Sequence, residues 1–319
     1  MNKGLKIALG AAGVAAVSAG VSYYVTKLLA DMALDREKPK VLRNFGSVIA
    51  GGGIDPEIKR SIDEAAQRLL DRPRKDIEIT SHDGIKLVGH FIEHPEAERV
   101  IVAMHGWRSR WERDYCFSSE FWWDNKCSVL YAEQRGQNSS GGDYMGFGLT
   151  ERYDTLDWAN YINENTEGLP IYLAGLSMGA TTVLMAASLD LPERVKGIMA
   201  DCGFTSVHDI WKHVAQDNLH ISYEIRRGLA DRLAREKLGV DNVSFSTVDA
   251  LRESKVPVLF IHGAADNFVP VQMTYDNYLA CRTEKRLLIV PGADHGMSYL
   301  VEKEKYQDAV KSFWADFDK

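Results

Sequence analysis

Residues 169–184 read LPIYLAGLSMGATTVL. A short apolar run breaks at Gly175-Leu176-Ser177-Met178-Gly179, and residues suited to a helix follow at once. The pattern G-x-S-x-G arises by chance about 0.1 times in a chain of this length, so alone it is a weak signal. Its setting strengthens it. A serine on a sharp strand-to-helix turn is the arrangement of a nucleophile elbow. In so tight a turn a side chain at Gly175 or Gly179 would strike adjacent backbone. The helix that begins behind the serine offers unpaired N–H groups and a partial positive charge.

Working outward, apolar runs alternate with helical patterns. DIEITS and IKLVGHFIEH flank His82-Asp83-Gly84, a hairpin signal. RVIVAMHG, CSVLYAE, LPIYLAG, VKGIMAD, VPVLFIHG and RLLIVPG are short and continuously apolar. Such strands are buried on both faces, as in a parallel sheet covered by helices. Helices are expected around 111–124, 150–164, 178–189, 271–282 and 304–317. The fold class is therefore α/β: an eight-stranded, mostly parallel sheet with helices on both faces. One connection is too long for this scheme. Residues 203–255, after the sixth strand, contain the helix-like stretches SVHDIWKHVAQ and EIRRGLADRLAREKLG, and a lid over the site is expected there.

The N-terminal part differs from the rest. Lys3 and Lys6 precede an uncharged stretch from Ile7 to Thr26, and Lys27 closes it. Such a stretch is long enough to span a bilayer, and Tyr23 and Tyr24 suit an interface. A single-pass membrane anchor over 1–30 is expected, with the catalytic domain outside the cell. The alternative is a cleaved signal peptide ending near Val17-Ser18-Ala19. Residues 31–74 read as a linker. It has a flexible point at Gly51-Gly52-Gly53 and, after Pro56, an amphipathic helix over EIKRSIDEAAQRLLD. The catalytic domain is assigned to 75–319.

The 319 residues are 45% hydrophobic and 26% charged, enough for one large core. Net charge is −7 with the signs interspersed, and no basic-aromatic stripe points to nucleic acid. Cys116, Cys127, Cys202 and Cys281 form no C-x-x-C pair and read as small buried hydrophobes. No H-E-x-x-H motif or Cys/His cluster suggests a metal, and no cofactor is expected.

A serine hydroxyl needs a base, and the base needs an orienting group. With a strand–turn–helix elbow the chain order is serine, acid, histidine. Asp266 follows the seventh strand in FIHGAADNFVP, and His295 follows the eighth in LIVPGADHGMSY. Both stand at carboxyl ends of strands, where open α/β sheets place their sites. Asp201, at the end of the sixth strand, is an alternative acid. His262 precedes Asp266, breaks the order and reads as structural. Asp294 adjoins His295, and chain neighbours rarely face each other well enough to pair. Donors for an oxyanion are expected from the backbone of Met178 and of Trp107, in the loop His105-Gly106-Trp107. The candidate pocket wall comprises Trp107, Tyr144, Met145, Phe147, Met178, Phe204, Trp211 and Phe268.

Over residues 76–317 the sequence resembles the serine α/β-hydrolases. The resemblance rests on MHGW, AEQRGQNSSGG, GLSMGA, ADCGFTS, IHGAADNFVP and PGADHG. Through YMGFGLTERYD and ADCGFTSV it is most similar to a membrane-anchored "cell-surface hydrolase" branch of Gram-positive bacteria. Relatives often carry Asp-x-Arg-Gly-His-Gly-x-Ser after the fourth strand. Here Glu133-Gln134-Arg135-Gly136-Gln137-Asn138-Ser139-Ser140 stands instead, so loop packing near the site is expected to differ. The resemblance implies cleavage of a small or lipid-like carboxylic ester through an acyl-serine. Peptidase, amidase or thioesterase action uses the same residues. A non-catalytic membrane-tethered binding protein is the reading from another class.

Overall fold

The computed structural model describes residues 3–42 and 55–318, with side chains from residue 19 onward. Eight strands form one sheet: β1 Lys75–Thr80, β2 Lys86–Ile92, β3 Arg99–Met104, β4 Cys127–Glu133, β5 Ile171–Leu176, β6 Val195–Asp201, β7 Val258–Gly263 and β8 Lys285–Val290. Their spatial order is β1-β2-β4-β3-β5-β6-β7-β8. β2 runs antiparallel to both its neighbours, and the other pairs are parallel. This is the α/β-hydrolase fold.

The reason lies in the strand sequences. β3, β4 and β7 are buried at every position, as continuously apolar strands must be when helices cover both faces. Alternate residues of β3 enter different cores. Val100, Val102 and Met104 pack with Trp158, Leu173 and Phe260. Ile101 and Ala103 pack with Tyr131, Tyr172 and Phe313 on the other face. β1, with Lys75, Asp76 and Glu78, is an exposed edge. All four cysteines are buried and free.

The stretch after Pro56 is a helix over Pro56–Leu70, started by Asp55, whose carboxylate accepts the Glu57 N–H at 2.8 Å. Ile62, Ala65, Ala66 and Leu69 bury one of its faces. The glycines at 51–53 lie outside the described residues. Residues 111–124 form two short helices, Trp111–Asp114 and Ser118–Asp124, in place of one. Tyr115 interrupts them, and its hydroxyl donates to the Met104 carbonyl at the end of β3. The segment after β6 holds helices Val207–His213, Arg227–Leu238 and Thr247–Glu253, with a wider turn over Val214–Asn218.

The expected single-pass anchor, and the extracellular placement that went with it, are corrected here. Among the described residues no helix is long and apolar enough to cross a membrane. Nine of the twenty residues from Ile7 to Thr26 are Ala or Gly, whose small surfaces contribute little to transfer into lipid. It is also not a separate element. One helix runs from Lys3 to Leu34 and carries Lys27 and Asp31, paired at 2.5 Å, within its later turns. Its C-terminal end is folded into the protein: Thr26, Ala30, Met32 and Leu34 are buried.

Candidate active site

Ser177 sits between β5 and the helix Met178–Ala186 with φ 56° and ψ −117°. This is a strained backbone for a non-glycine residue. Its N–H donates to the Asp201 carbonyl at 2.9 Å, which ties the turn to the end of β6. The flanking glycines are sterically required. A Cβ on Gly175 would lie 2.3 Å from the Gly179 carbonyl oxygen, and one on Gly179 would lie 1.8 Å from that of Met104.

Three side chains from three strand ends meet. The Ser177 Oγ is 2.9 Å from His295 Nε2, and His295 Nδ1 is 2.7 Å from an Asp266 carboxylate oxygen. Nδ1 faces an anion and so carries the imidazole proton, leaving Nε2 free to accept one. The other Asp266 oxygen accepts the N–H groups of Phe268 and Val269 at 2.9 and 2.8 Å. The carboxylate is fully buried, whereas 24% of the His295 side chain remains exposed. Burial opposes ionisation of Asp266. The hydrogen bonds from His262 and His295 outweigh it and hold this carboxyl well below the usual range. Burial likewise opposes charging of His295, but the adjacent Asp266 carries the imidazole above its ordinary value.

The rival groups have other partners. Asp201 lies 3.3 Å from the Ser298 hydroxyl, and burial pushes its carboxyl up to about 6. Asp294 accepts the backbone N–H of His295, not its ring. His262 is buried behind the acid. Its Nε2 is 2.9 Å from the Val269 carbonyl and 3.1 Å from Asp266, so it braces the acid loop.

Met178 opens its helix, so its N–H has no acceptor within that helix. The loop His105-Gly106-Trp107 comes close to the serine: a Cβ on Gly106 would stand 3.5 Å from that of Ser177. Asp114 fixes this loop by accepting the Gly106 N–H at 2.7 Å. The unusual residues after β4 support it from behind. Gln134 donates to the His105 carbonyl and accepts from Thr182, while Gln137 accepts the Arg108 N–H at 2.6 Å. Arg135 spans Asp154 and Asp83, away from the serine.

A cavity of about 110 Å³ opens beside Ser177. Trp107, Phe147, Phe204, Trp211 and Phe268 line it. Three other residues of the expected wall stand elsewhere. Tyr144 pairs with Asp35 and lies under the Lys237 ammonium, while Met145 and Met178 are fully buried. The insertion adds Ile210 and Val214, which lie in a stretch read as helical from sequence, and Leu219 and Tyr223, which lie between the two helix-like stretches. The N-terminal helix adds Thr26, Leu29, Ala30, Met32 and Ala33, for which the sequence carried no signal beyond apolarity.

The sheet order, the elbow and the loops at the strand ends define an α/β-hydrolase. Residues 115–317 match the prolyl oligopeptidase family, and the chain belongs to it. It is similar to an uncharacterized protein of Bacillus subtilis (strain 168), YqkD, at 25% identity, covering 74% of this chain and 77% of that protein. Among solved structures it is similar to an esterase of Pyrococcus furiosus, with a TM-score of 0.64 and 22% identity over 79% of this chain and 94% of that one. It is also similar to a puromycin-hydrolyzing peptidase of Mycobacterium tuberculosis, with a TM-score of 0.60 and 16% identity, over 77% of this chain and 39% of that one. Family and fold together make this chain a serine hydrolase that acts on a small molecule.

Proposed function

We propose that the chain hydrolyses carboxylic esters through a covalent acyl-Ser177 intermediate. The observation that carries this reading is the continuous hydrogen-bonded series from Ser177 through His295 to the buried Asp266. His295 Nε2 takes the hydroxyl proton as Oγ attacks the acyl carbon, and then gives it to the departing alcohol. Water repeats the sequence and releases the acid, returning Ser177 to its starting state. Asp266 holds the tautomer and stabilises the transient imidazolium. The backbone N–H groups of Trp107 and Met178 receive the developing oxyanion. Residues 203–255 act as the lid of a catalytic domain spanning 75–319, with 31–74 leading into it.

An ester is preferred over a peptide because of the pocket. Among the described residues no carboxylate lines it to receive a charged amino group, and apart from Thr26, Ser177 and Arg226 its walls are aliphatic and aromatic. Fluorophosphonate labelling tests the nucleophile, since such probes need an activated serine but not the natural substrate. Wild type is expected to label and Ser177→Ala is not. A folded wild type that stays unlabelled would remove the acyl-serine scheme. Comparing p-nitrophenyl esters with aminoacyl anilides tests the substrate class, and faster cleavage of the anilides would reverse it.

A further inference from the structure

The N-terminal helix is bolted to the site rather than resting near it. The Trp107 indole N–H donates to the Ala33 carbonyl at 2.9 Å. Next in the chain, the Arg108 guanidinium donates to the carbonyls of Met32 at 2.8 Å and Arg36 at 3.1 Å, and also to that of Asp35. These are the carbonyls left unpaired where a helix ends, and a cation there also suits the helix dipole. From the insertion, the Lys237 ammonium reaches Asp35 at 2.5 Å and Asp31 at 3.1 Å. The Met145 N–H donates to the Leu34 carbonyl and the Arg36 N–H to the Asp143 carbonyl, both at 2.7 Å. The helix end is thus held by the loop beside the serine, by the insertion and by the segment after β4.

Thr26, Leu29, Ala30 and Ala33 are spaced i, i+3, i+4 and i+7, so they share one helix face, and all four line the cavity that contains Ser177. Two of them are alanines. Where the wall is alanine, the space in front of it stays open, and a longer side chain would occupy it. The Thr26 hydroxyl is already satisfied by the Ser22 carbonyl at 2.8 Å, so it asks nothing of a ligand.

We propose that this face of the N-terminal helix is the acyl-binding wall of the enzyme, and that Ala30 and Leu29 set the length of the aliphatic acyl chain it accepts. The inference rests on the ester-hydrolase reading above and adds the ligand class: an unbranched alkyl chain extending from the reacting carbonyl along this uncharged helix face, with the Arg226 guanidinium on another wall of the same cavity. Residues that look peripheral in sequence are in this way specificity determinants.

The test uses the full chain and two variants of opposite sign. Ala30→Phe fills the cavity, and Leu29→Ala enlarges it. The kcat/KM ratio for p-nitrophenyl octanoate over p-nitrophenyl butyrate is expected to fall at least about tenfold in Ala30→Phe and to rise several-fold in Leu29→Ala. Binding of octan-2-one, read through tryptophan emission because Trp107 and Trp211 line the cavity, is expected to weaken in Ala30→Phe and needs no catalysis. Both ratios staying within about twofold of wild type, with ketone binding unchanged, overturns the proposal. If Ala30→Phe fails to fold, Leu29→Ala alone decides by the same readings. Should the variants alter ketone binding while wild type neither labels with fluorophosphonate nor cleaves esters, the ester-hydrolase reading fails and the binding wall stands.

Discussion

Asp266→Asn is nearly isosteric, yet the geometry allows the asparagine no good orientation. One carboxylate oxygen accepts two backbone N–H groups, from Phe268 and Val269, and the other lies 2.7 Å from His295 Nδ1. Turning the new NH2 toward the backbone would set it against two buried donors, at about 1–3 kcal/mol for each group left unpaired. The NH2 therefore turns toward His295. A donor facing Nδ1 selects the tautomer with its proton on Nε2, the atom 2.9 Å from Ser177 Oγ. That nitrogen then cannot accept the serine proton. Acylation at neutral pH is expected to fall on the order of 10⁴-fold. His262 keeps the Val269 carbonyl as an acceptor, so the fold should survive. The assay is kcat/KM for a p-nitrophenyl ester, with the rate of fluorophosphonate labelling in parallel. Asp201→Asn serves as the comparison, because that carboxyl bonds Ser298 and not the imidazole; a loss below about tenfold is expected. The reasoning is refuted if Asp266→Asn keeps activity within about tenfold of wild type, or if Asp201→Asn is the more damaging change.

Other consequences can be measured independently. The His295 imidazole is raised above its ordinary value of 6.5, so its protonated form persists to higher pH and the basic form needed for attack appears later. The acidic limb of the kcat/KM profile should therefore have its midpoint above 6.5; a midpoint at or below that value contradicts the pairing. Gly179→Ala would place a Cβ 1.8 Å from the Met104 carbonyl oxygen, so elbow and strand must separate. A displacement of about 1 Å at the nucleophile costs on the order of 10²-fold in rate. Overpacking adds about 1–3 kcal/mol of destabilisation, and urea unfolding with wild-type stability would show the turn to be looser than described. Arg108→Ala strips donors from the carbonyls of Met32, Asp35 and Arg36. A loss of about 1–3 kcal/mol is expected in urea unfolding, and an unchanged midpoint would mean that this contact does not hold the helix.

The sheet and the elbow were legible in the sequence because their causes are local. A run such as RVIVAMHG has no polar face, and only a doubly covered strand can bury it. Gly175 leaves no room for a Cβ because of the Gly179 carbonyl within the same turn, whereas at Gly179 the obstacle is the Met104 carbonyl of the neighbouring strand. Ser177, Asp266 and His295 could be named as candidates because a parallel sheet brings the carboxyl ends of its strands to one edge, but chain order also admits Asp201, and only the structure puts Asp266, 2.7 Å away, against His295 Nδ1. The N-terminal helix was misread for an equally physical reason. An apolar helix face has the same composition whether it meets lipid, a core or a substrate. Only the carbonyls at the helix end and the guanidinium of Arg108, separated by more than seventy residues, show that its last turns meet the protein. The aromatics divide on the same principle. Phe147, Phe204, Trp211 and Phe268 reach the cavity while Tyr144 and Met145 do not. The sequence by itself determined the scaffold and which candidate side chains stand at its strand ends. The tertiary structure decided what encloses that chemistry, because a pocket wall assembled from distant segments leaves no period or spacing in any one of them.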